Sequence, residues 1–582
     1  MSRALLLAAT LAALPASAAV KNPDTLVYAQ RDDNGPIDPA WAEDVYSLSL
    51  VQNLYDNLVG YKGDSLVEME PRLSAVVPSR ENGLLSPDGR TYVFPLRKGV
   101  AFHDGAPLEP EDVRYSLLRE IFVNCRAGNP LTEALTGERY ACAEDGTPVD
   151  FVASRAFAAV TTGPGTVTVR LEQPFAPFLK LLAAAGAVVS RKWCAAHGDW
   201  DGTEAGLARL RGRKREDSYL LTRANGTGPF KLERWDPSGR QVVLERNDAY
   251  WRGPAKLRRV VLKAVPDLGA RRLMLQNGDA DVADGSIVEL ALWSGIPGVE
   301  VLEGLQPPLR NPLLLFNFAA NTEANPDLGS GRLDGAGIPP DFFADKDVRL
   351  GFAHAFDYGA YIKDVLRGRA RPASGFIPPG LPGYSKEGLE FAHDPAKAEQ
   401  HLRRARGGKV WEKGFKLTVL INAGSAWRPS LVKILAEGLA RINPKFLVEA
   451  RAVPWSAFLD WSAQRKVPLF IMGDAPRYAD THPLAVQFLH SKGDYQKRLG
   501  YSNPEADRLI AAAAREGDAA ERERLYRKLQ KLAREDVPFV PVDEPQGDVL
   551  RVQRAWVKGY VFNPIFPAAP AASYYWDLRK EE

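Results

Sequence analysis

Short alternating or fully apolar segments recur along the chain, separated by stretches with helical spacing. Thr91-Tyr92-Val93-Phe94-Pro95-Leu96-Arg97 alternates with the two-residue period of a strand. Val167 to Leu171, Gln241 to Glu245 and Val260 to Val265 read as further strands, the last ending at Pro266. Asp44 to Val59 reads as a helix with Val51, Leu54 and Leu58 on one face. Pro504 behind Asn503 marks a helix start, because Asn caps free N–H groups and Pro has no N–H to satisfy. A second helix runs from Glu521 to Glu535 and stops before Pro538, and Phe539-Val540-Pro541-Val542 follows as a strand. Residues 320–340, rich in Gly, Pro and Asn, predict a long surface loop. There is no fixed-period repeat. Strands that alternate with helices over the whole length predict mixed α/β lobes.

The first 19 residues follow a different pattern. Arg3 supplies a positive start, and Ala4 to Leu14 form an apolar run too short to span a bilayer. Ala16-Ser17-Ala18 is a small-x-small cleavage site. Residues 1–19 therefore read as a signal peptide cleaved near Ala18 or Ala19, which predicts a periplasmic mature chain. No Cys follows the apolar run, so a lipoprotein anchor there is disfavoured. No later apolar run is long enough to cross a membrane.

Composition narrows the function classes. The chain has 582 residues, 45% hydrophobic and 25% charged, a globular balance that excludes a disordered or fibrous protein. Lys and Arg total 75 against 72 Asp and Glu, so no basic excess points to nucleic acid. The one short basic run, Arg211 to Arg215, reads as a solvated loop. Cys125 and Cys142 bracket a loop rich in Gly, Pro and Thr, and in an oxidising compartment a disulfide between them is expected. Cys194 is left over and reads as a buried small residue. GxSxG, HExxH and CxxC are all absent, and no two of the seven histidines are spaced i,i+4. Asn225-Gly226-Thr227-Gly228-Pro229 lacks the ending of a phosphate loop, and Asp279, Asp281 and Asp284 fail the ligand spacing of a calcium loop. No catalytic residue, metal ligand or cofactor is assigned.

Residues 71–118 carry the most specific signal. Pro71-Arg72-Leu73, Asp88-Gly89-Arg90-Thr91-Tyr92, Leu96-Arg97-Lys98-Gly99-Val100, Phe102-His103-Asp104-Gly105 and Glu111-Asp112-Val113 together resemble the signature block of the family 5 extracellular solute-binding proteins. These are peptide- and nickel-type receptors of ABC importers. Asn53 to Val59, Asn225 to Phe230, Glu245 to Trp251 and Gln276 to Asp281 extend the resemblance, as do Phe316-Asn317 and Asp347 to Asp357. Read physically, these blocks are scaffold. Asp88-Gly89 is a hairpin turn, Gly226 and Gly228 supply backbone angles closed to other residues, and His103 is structural.

The resemblance implies a two-lobed α/β periplasmic-binding-protein fold of the large peptide-binding type, with an extra subdomain in the first lobe. It places residues 20–265 plus 540–582 in the first lobe, 63–170 in the subdomain and 266–539 in the second lobe. Val260 to Val265 and the stretch from Pro538 to Pro541 would be the two crossings, around which the cleft closes.

It also implies where a ligand sits. The second-lobe segment Gly473-Asp474-Ala475-Pro476-Arg477-Tyr478-Ala479-Asp480 resembles the family's ligand-contacting pattern, G-W-x-A-D-Y-x-D-P. Gly473, Tyr478 and Asp480 match. Asp474 stands where an aromatic is common, and Arg477 stands where the Asp that receives a peptide's ammonium is expected. Asp474 taking over the ammonium, Arg477 pairing with a ligand carboxylate or phosphate, and a ligand without a free amine all remain open. The bland alternative pairs Arg477 with Asp480 on a solvated face. Trp427, in the loop from Asn422, and Tyr46 and Asp44, at the start of the opening helix, complete the candidate set.

The resulting expectation is a non-enzymatic, monomeric receptor that captures a peptide and delivers it to an ABC permease in the inner membrane. Receptors for an oligosaccharide or a chelated metal are the alternative cargoes, and a secreted hydrolase is the competing class.

Overall fold

The computed structural model describes residues 20–581, apart from 126–127, 144, 287–288, 304, 306–308, 388, 424, 426, 547–549, 563–564 and 566–572. The expected signal peptide lies outside the described residues. Two sheets organise the chain. The first has seven strands, in spatial order Val299–Leu302, Arg551–Arg554, Val282–Ala283, Thr25–Gln30, Arg259–Ala264, Gln241–Arg246 and Phe230–Asp236. Thr25–Gln30 runs parallel to both neighbours, and the other pairs are antiparallel. The second sheet orders Phe446–Val453, Phe415–Asn422, Leu469–Met472, Leu313–Phe316 and Phe539–Pro541. Phe415–Asn422 is parallel to both neighbours, whereas Leu313–Phe316 is antiparallel to both of its own. A separate three-stranded sheet, Thr91–Pro95, Thr166–Arg170 and Val160–Gly163, lies within residues 63–170.

The second sheet is covered on both faces, which explains its unbroken apolar strands. Leu314 and Phe316 enter one core with Val419 and Ile421. Their sequence neighbours Leu313 and Leu315 enter another with Leu420 and Phe470. Side chains that alternate across a strand thus feed two cores from one sheet.

Strand pairing shifts the lobe boundaries. Val282–Ala283 and Val299–Leu302 lie beyond residue 265, yet both pair with Arg551–Arg554 in the first sheet. Arg259–Ala264 and Phe539–Pro541, expected as crossings, are interior to the first and second sheets respectively. The chain instead passes between sheets from Leu302 to Leu313 and back from Pro545 to Arg551. The two short strands carry too few residues to show a period, and their partner lies about 250 residues away.

Two local readings also change. The opening helix is shorter than expected, Val45–Leu54, capped by Asp44, whose side chain accepts the Ser47 N–H. Val59–Tyr61 is a strand. The loop around Gly226 and Gly228 packs onto the end of this helix, and Gly228 N–H donates to Leu54 O at 3.1 Å. Neither glycine has a positive φ. They are required for space: a Cβ at Gly226 would meet Leu54 O at 2.0 Å, and one at Gly228 would meet Asn53 O at 2.6 Å. His103 holds this loop, accepting the Gly226 N–H on Nδ1 and contacting Gly228 O through Nε2 at 3.1 Å. Burial drives its pKa down to about 4, so the ring is neutral.

Buried charge ties the first lobe together. Arg119 donates to both oxygens of Asp38, at 2.6 and 2.7 Å, and to Asp199 at 2.8 Å. All three side chains are almost fully buried. Arg213, from the basic run read as solvated, also pairs with Asp199, and its side chain is only 9% exposed. Arg211 does sit at the surface, on Asp145 at 2.9 Å. Cys125 and Cys142 are joined by a disulfide, and Cys194 is buried. In residues 320–340, Leu328 and Ile338 belong to the second-lobe core and Asp327 forms a two-bond pair with Arg451, so this loop is packed down.

Replacing Arg119 by Met leaves Asp38 and Asp199 buried without their shared counter-charge. The expected cost is about 3–5 kcal/mol, read as a lower denaturant midpoint for the first-lobe transition. An unchanged midpoint would show that the pair contributes nothing.

Candidate functional site

Parallel strands in open α/β sheets present ligand sites at their carboxyl ends. In the first sheet these ends are Gln30, Ala264 and Ala283, and in the second Asn422, Val453 and Met472. A cavity of about 320 Å³ opens beyond Gln30 and Ala283, lined by Arg31, Asp32, Asp44, Tyr46, Asp284 and Gly285 among others. Asp44 and Tyr46 are therefore brought together.

Asp284 organises this cavity. Its carboxylate accepts from Tyr28 O–H, from Tyr46 O–H at 2.6 Å and from Arg31 N–H at 2.7 Å. Burial, then the Asp284 charge, raise the Tyr46 phenol, so it stays protonated as a donor. Asp44 is spent on capping, with both oxygens on Ser47. Sequence reasoning weighed Asp284 only as a failed calcium ligand. Its neighbours are drawn elsewhere: Asp279 pairs with Lys21 at 2.6 Å, and Asp281 with Lys580 at 2.8 Å.

On the second lobe, Gly473 to Arg477 leave the strand Leu469–Met472. Asp474 accepts from Gln487 Nε2 at 2.5 Å and from the Ala475 N–H at 2.9 Å. Burial raises its carboxyl, and the hydrogen bonds and Arg477 only partly oppose this. Arg477 is exposed.

Tyr478 and Asp480, expected on the ligand, are instead turned into packing. Tyr478 is fully buried, and its hydroxyl meets His482 Nδ1 at 2.9 Å. Asp480 is also fully buried, and Arg522 donates to both its oxygens at 2.7 and 2.6 Å. The solvated Arg477–Asp480 pair is therefore absent. Arg522 lies 42 residues further on, in the helix Ala519–Asp536, at a separation no local pattern reveals. Burial would raise the Asp480 carboxyl, but the Arg522 charge and hydrogen bonds outweigh it and hold it below the ordinary range.

The two lobes touch at this segment. Ala479 N–H donates to Tyr61 Oη at 3.0 Å, and Lys180 Nζ donates to Ala479 O at 2.9 Å. Phe175 lies edge-on to His482, with ring centroids 5.0 Å apart. The disulfide-bracketed loop adds Arg139 to Asp494 at 3.4 Å and Tyr140 to Lys497 at 2.5 Å. Glu120, on the helix Pro110–Phe122, is half-buried, and its side chain accepts from Asn129 Nδ2 at 3.4 Å. Burial, then Asp38, push its carboxyl up to about 7, against the lowering effect of Arg119 and Arg477.

Trp427 is half-buried against a second-lobe core, with the Arg428 guanidinium 4.8 Å from its ring centroid, so its face is already covered. Trp461 packs likewise beneath Arg451. A larger cavity, about 460 Å³, is lined mainly by first-lobe segments on another side of the opening helix. Two of its acids are partnered, Glu70 with Arg72 at 2.6 Å and Arg252 at 3.5 Å, and Asp56 with Tyr250, Trp251 and Thr227. Its third, Asp577, has no side-chain hydrogen bond or ion pair among the described residues. Among the described residues, no group of three or more His, Cys, Asp or Glu is arranged to hold a metal. No helix among them is long and apolar enough to cross a membrane.

Comparison with known proteins agrees with this architecture. The sequence profile of the bacterial extracellular solute-binding proteins, family 5 Middle, matches residues 79–496. A probable D,D-dipeptide-binding periplasmic protein of Escherichia coli K12 is 26% identical over 573 residues, covering 97% of this chain and 96% of its own. A glutathione-binding protein of Salmonella paratyphi A is 26% identical over 548 residues, covering 93% and 92%. Among solved structures, a Helicobacter pylori periplasmic binding protein in complex with the peptide STSA superposes with a TM-score of 0.71. It is 23% identical, and 96% of this chain and 98% of that one are covered.

Two outcomes are expected from these charges. Asp480→Asn leaves the Arg522 guanidinium buried beside a neutral amide and should cost about 3 kcal/mol at neutral pH. The pair's contribution is present above the ordinary carboxylate range and lost as pH falls through the depressed value, so wild type and variant should converge in acid. Glu120 has the opposite sign. Its raised carboxyl penalises the folded state progressively from the ordinary Glu range up to about 7, and fully above it. Glu120→Gln should therefore be more stable than wild type by roughly 1–3 kcal/mol at about pH 8 and gain little at about pH 5. Denaturant titrations at the two pH values decide both; a pH-independent difference would refute the assignments.

Proposed function

The chain belongs to the bacterial extracellular solute-binding proteins of family 5, and from that membership we propose that it captures a peptide between its lobes and delivers it to an ABC permease in the inner membrane. The signal peptide is removed near Ala18 or Ala19, and the mature chain works in the periplasm as a monomer. The cargo leaves chemically unchanged.

One observation carries this reading. Two sheets, each with parallel strands, are connected among the described residues where the chain runs from Leu302 to Leu313 and from Pro545 to Arg551. Such a connection permits hinge closure over a bound solute. Peptide is favoured as cargo because D,D-dipeptide- and glutathione-binding relatives align over nearly the full length. The ligand contacts are assigned to Tyr46 and the Asp284 cavity on the first lobe and to Gly473, Asp474, Ala475 and Arg477 on the second. Asp44, Tyr478 and Asp480 hold these contacts in place.

Native mass spectrometry of freshly purified protein should show retained cargo whose fragments are those of a peptide. A hexose ladder or a metal chelate would replace the peptide reading. Conversion of an added peptide by the pure protein would end the receptor reading itself. Added peptide should also reduce the radius of gyration in small-angle scattering, as the lobes close.

A further inference from the structure

Ala479 lies just beyond the segment Gly473 to Arg477. It is fully buried and belongs to no helix or strand. Its N–H donates to Tyr61 Oη at 3.0 Å, and its carbonyl accepts from Lys180 Nζ at 2.9 Å. A buried main chain needs both bonds, because burial shuts out solvent. Both come from the other lobe, one from the strand Val59–Tyr61 and one from the helix Phe178–Ala184.

The two side chains are prearranged for this contact. The Tyr61 hydroxyl donates to Lys180 O at 3.2 Å, which fixes its direction and leaves its oxygen to accept the Ala479 N–H. Lys180 is half-buried and makes no ion pair among the described residues, so its ammonium is held for a carbonyl. In a permanent packing contact, such an ammonium would cost stability. The surrounding surfaces fit as well. Tyr478 and Ala514 of the second lobe enter a core otherwise built from residues 26–282 and 556–578, and Ala176 N–H donates to Ala514 O at 2.8 Å. On its other side Ala479 is tied to its own lobe, since Arg522 grips both oxygens of Asp480. Ala479 therefore moves with the second lobe as a unit.

We propose that Tyr61 and Lys180 form a closure latch, which grips the Ala479 peptide when the lobes meet and slows the release of a solute that neither side chain touches. This rests on the capture reading above and adds the residues that hold the closed form. Both are positioning residues and act through Ala479. A solute enters the open form, where the latch is disengaged, and leaves only after the latch breaks, so the effect falls on dissociation rather than on association.

Tyr61→Phe and Lys180→Met each remove one latch bond and nearly preserve side-chain volume. Closure is read as the distance between spin labels on Leu273→Cys and Leu447→Cys, exposed positions on the first and second lobes. Cys125 and Cys142 are joined and Cys194 is buried, so labels attach at the introduced sites. A peptide pool from a casein hydrolysate should shorten this distance in the wild-type background, and each latch variant should reach a smaller closed fraction. Co-purified cargo, followed by native mass spectrometry after dilution, should leave each variant at least about tenfold faster than wild type, while the rebinding rate stays within about threefold. Closure and release unchanged in both variants overturn the latch and leave the capture reading standing. Faster release accompanied by loss of a cooperative thermal melt makes the pair a folding contact and overturns the latch too. If the wild type itself neither closes nor retains cargo, the capture reading falls and the latch with it.

Discussion

A strand with parallel neighbours on both sides cannot be joined to them by tight turns, and this constraint shapes the molecule. Thr25–Gln30 and Phe415–Asn422 each occupy that position. Their neighbours must therefore be reached by long excursions. The subdomain is inserted into the excursion from Thr25–Gln30 to Arg259–Ala264, whereas the second sheet is inserted between the antiparallel strands Val299–Leu302 and Arg551–Arg554. The same geometry gathers the carboxyl ends of neighbouring strands at one edge of each sheet, where backbone groups and the first residues of the following loops are free to face a solute.

Buried ion pairs then fix what the sheets leave loose. Arg119 with Asp38 and Asp199 joins the segment after the first strand to the subdomain helix and to the loop beyond it. Arg522 with Asp480 anchors the chain directly after the segment Gly473 to Arg477, while Tyr61 and Lys180 hold the intervening Ala479 peptide from the other lobe. Such pairs repay their desolvation only when the geometry is two-pronged and the remaining oxygens are satisfied, and both pairs meet that condition.

The cleft residues behave in the opposite way. Glu120 is held half-buried with its carboxyl driven up to about 7, and Asp474 is raised as well, although hydrogen bonds satisfy it. Folding gains nothing from keeping Glu120 there.

Much of the scaffold was legible from residues close together in the chain. The alternation at Thr91 to Leu96, the capped start at Asn503 and the helix that ends before Pro538 are local features set by backbone periodicity and capping, and they stand in the structure nearly as read. The block from Pro71 to Leu118 pointed to the family, to which the chain belongs. What the sequence could not determine were relations between distant residues. Val282–Ala283 becomes a strand because Thr25–Gln30 and Arg551–Arg554 lie on either side of it. Gly226 is required by a carbonyl on another element rather than by its own backbone angles. Asp480, matched to a ligand by its position in a motif, belongs to Arg522, which lies 42 residues further along the chain. Periodicity and capping act over a few residues and are written into the chain, whereas the partner of a buried charge is chosen by packing, which acts between segments hundreds of residues apart.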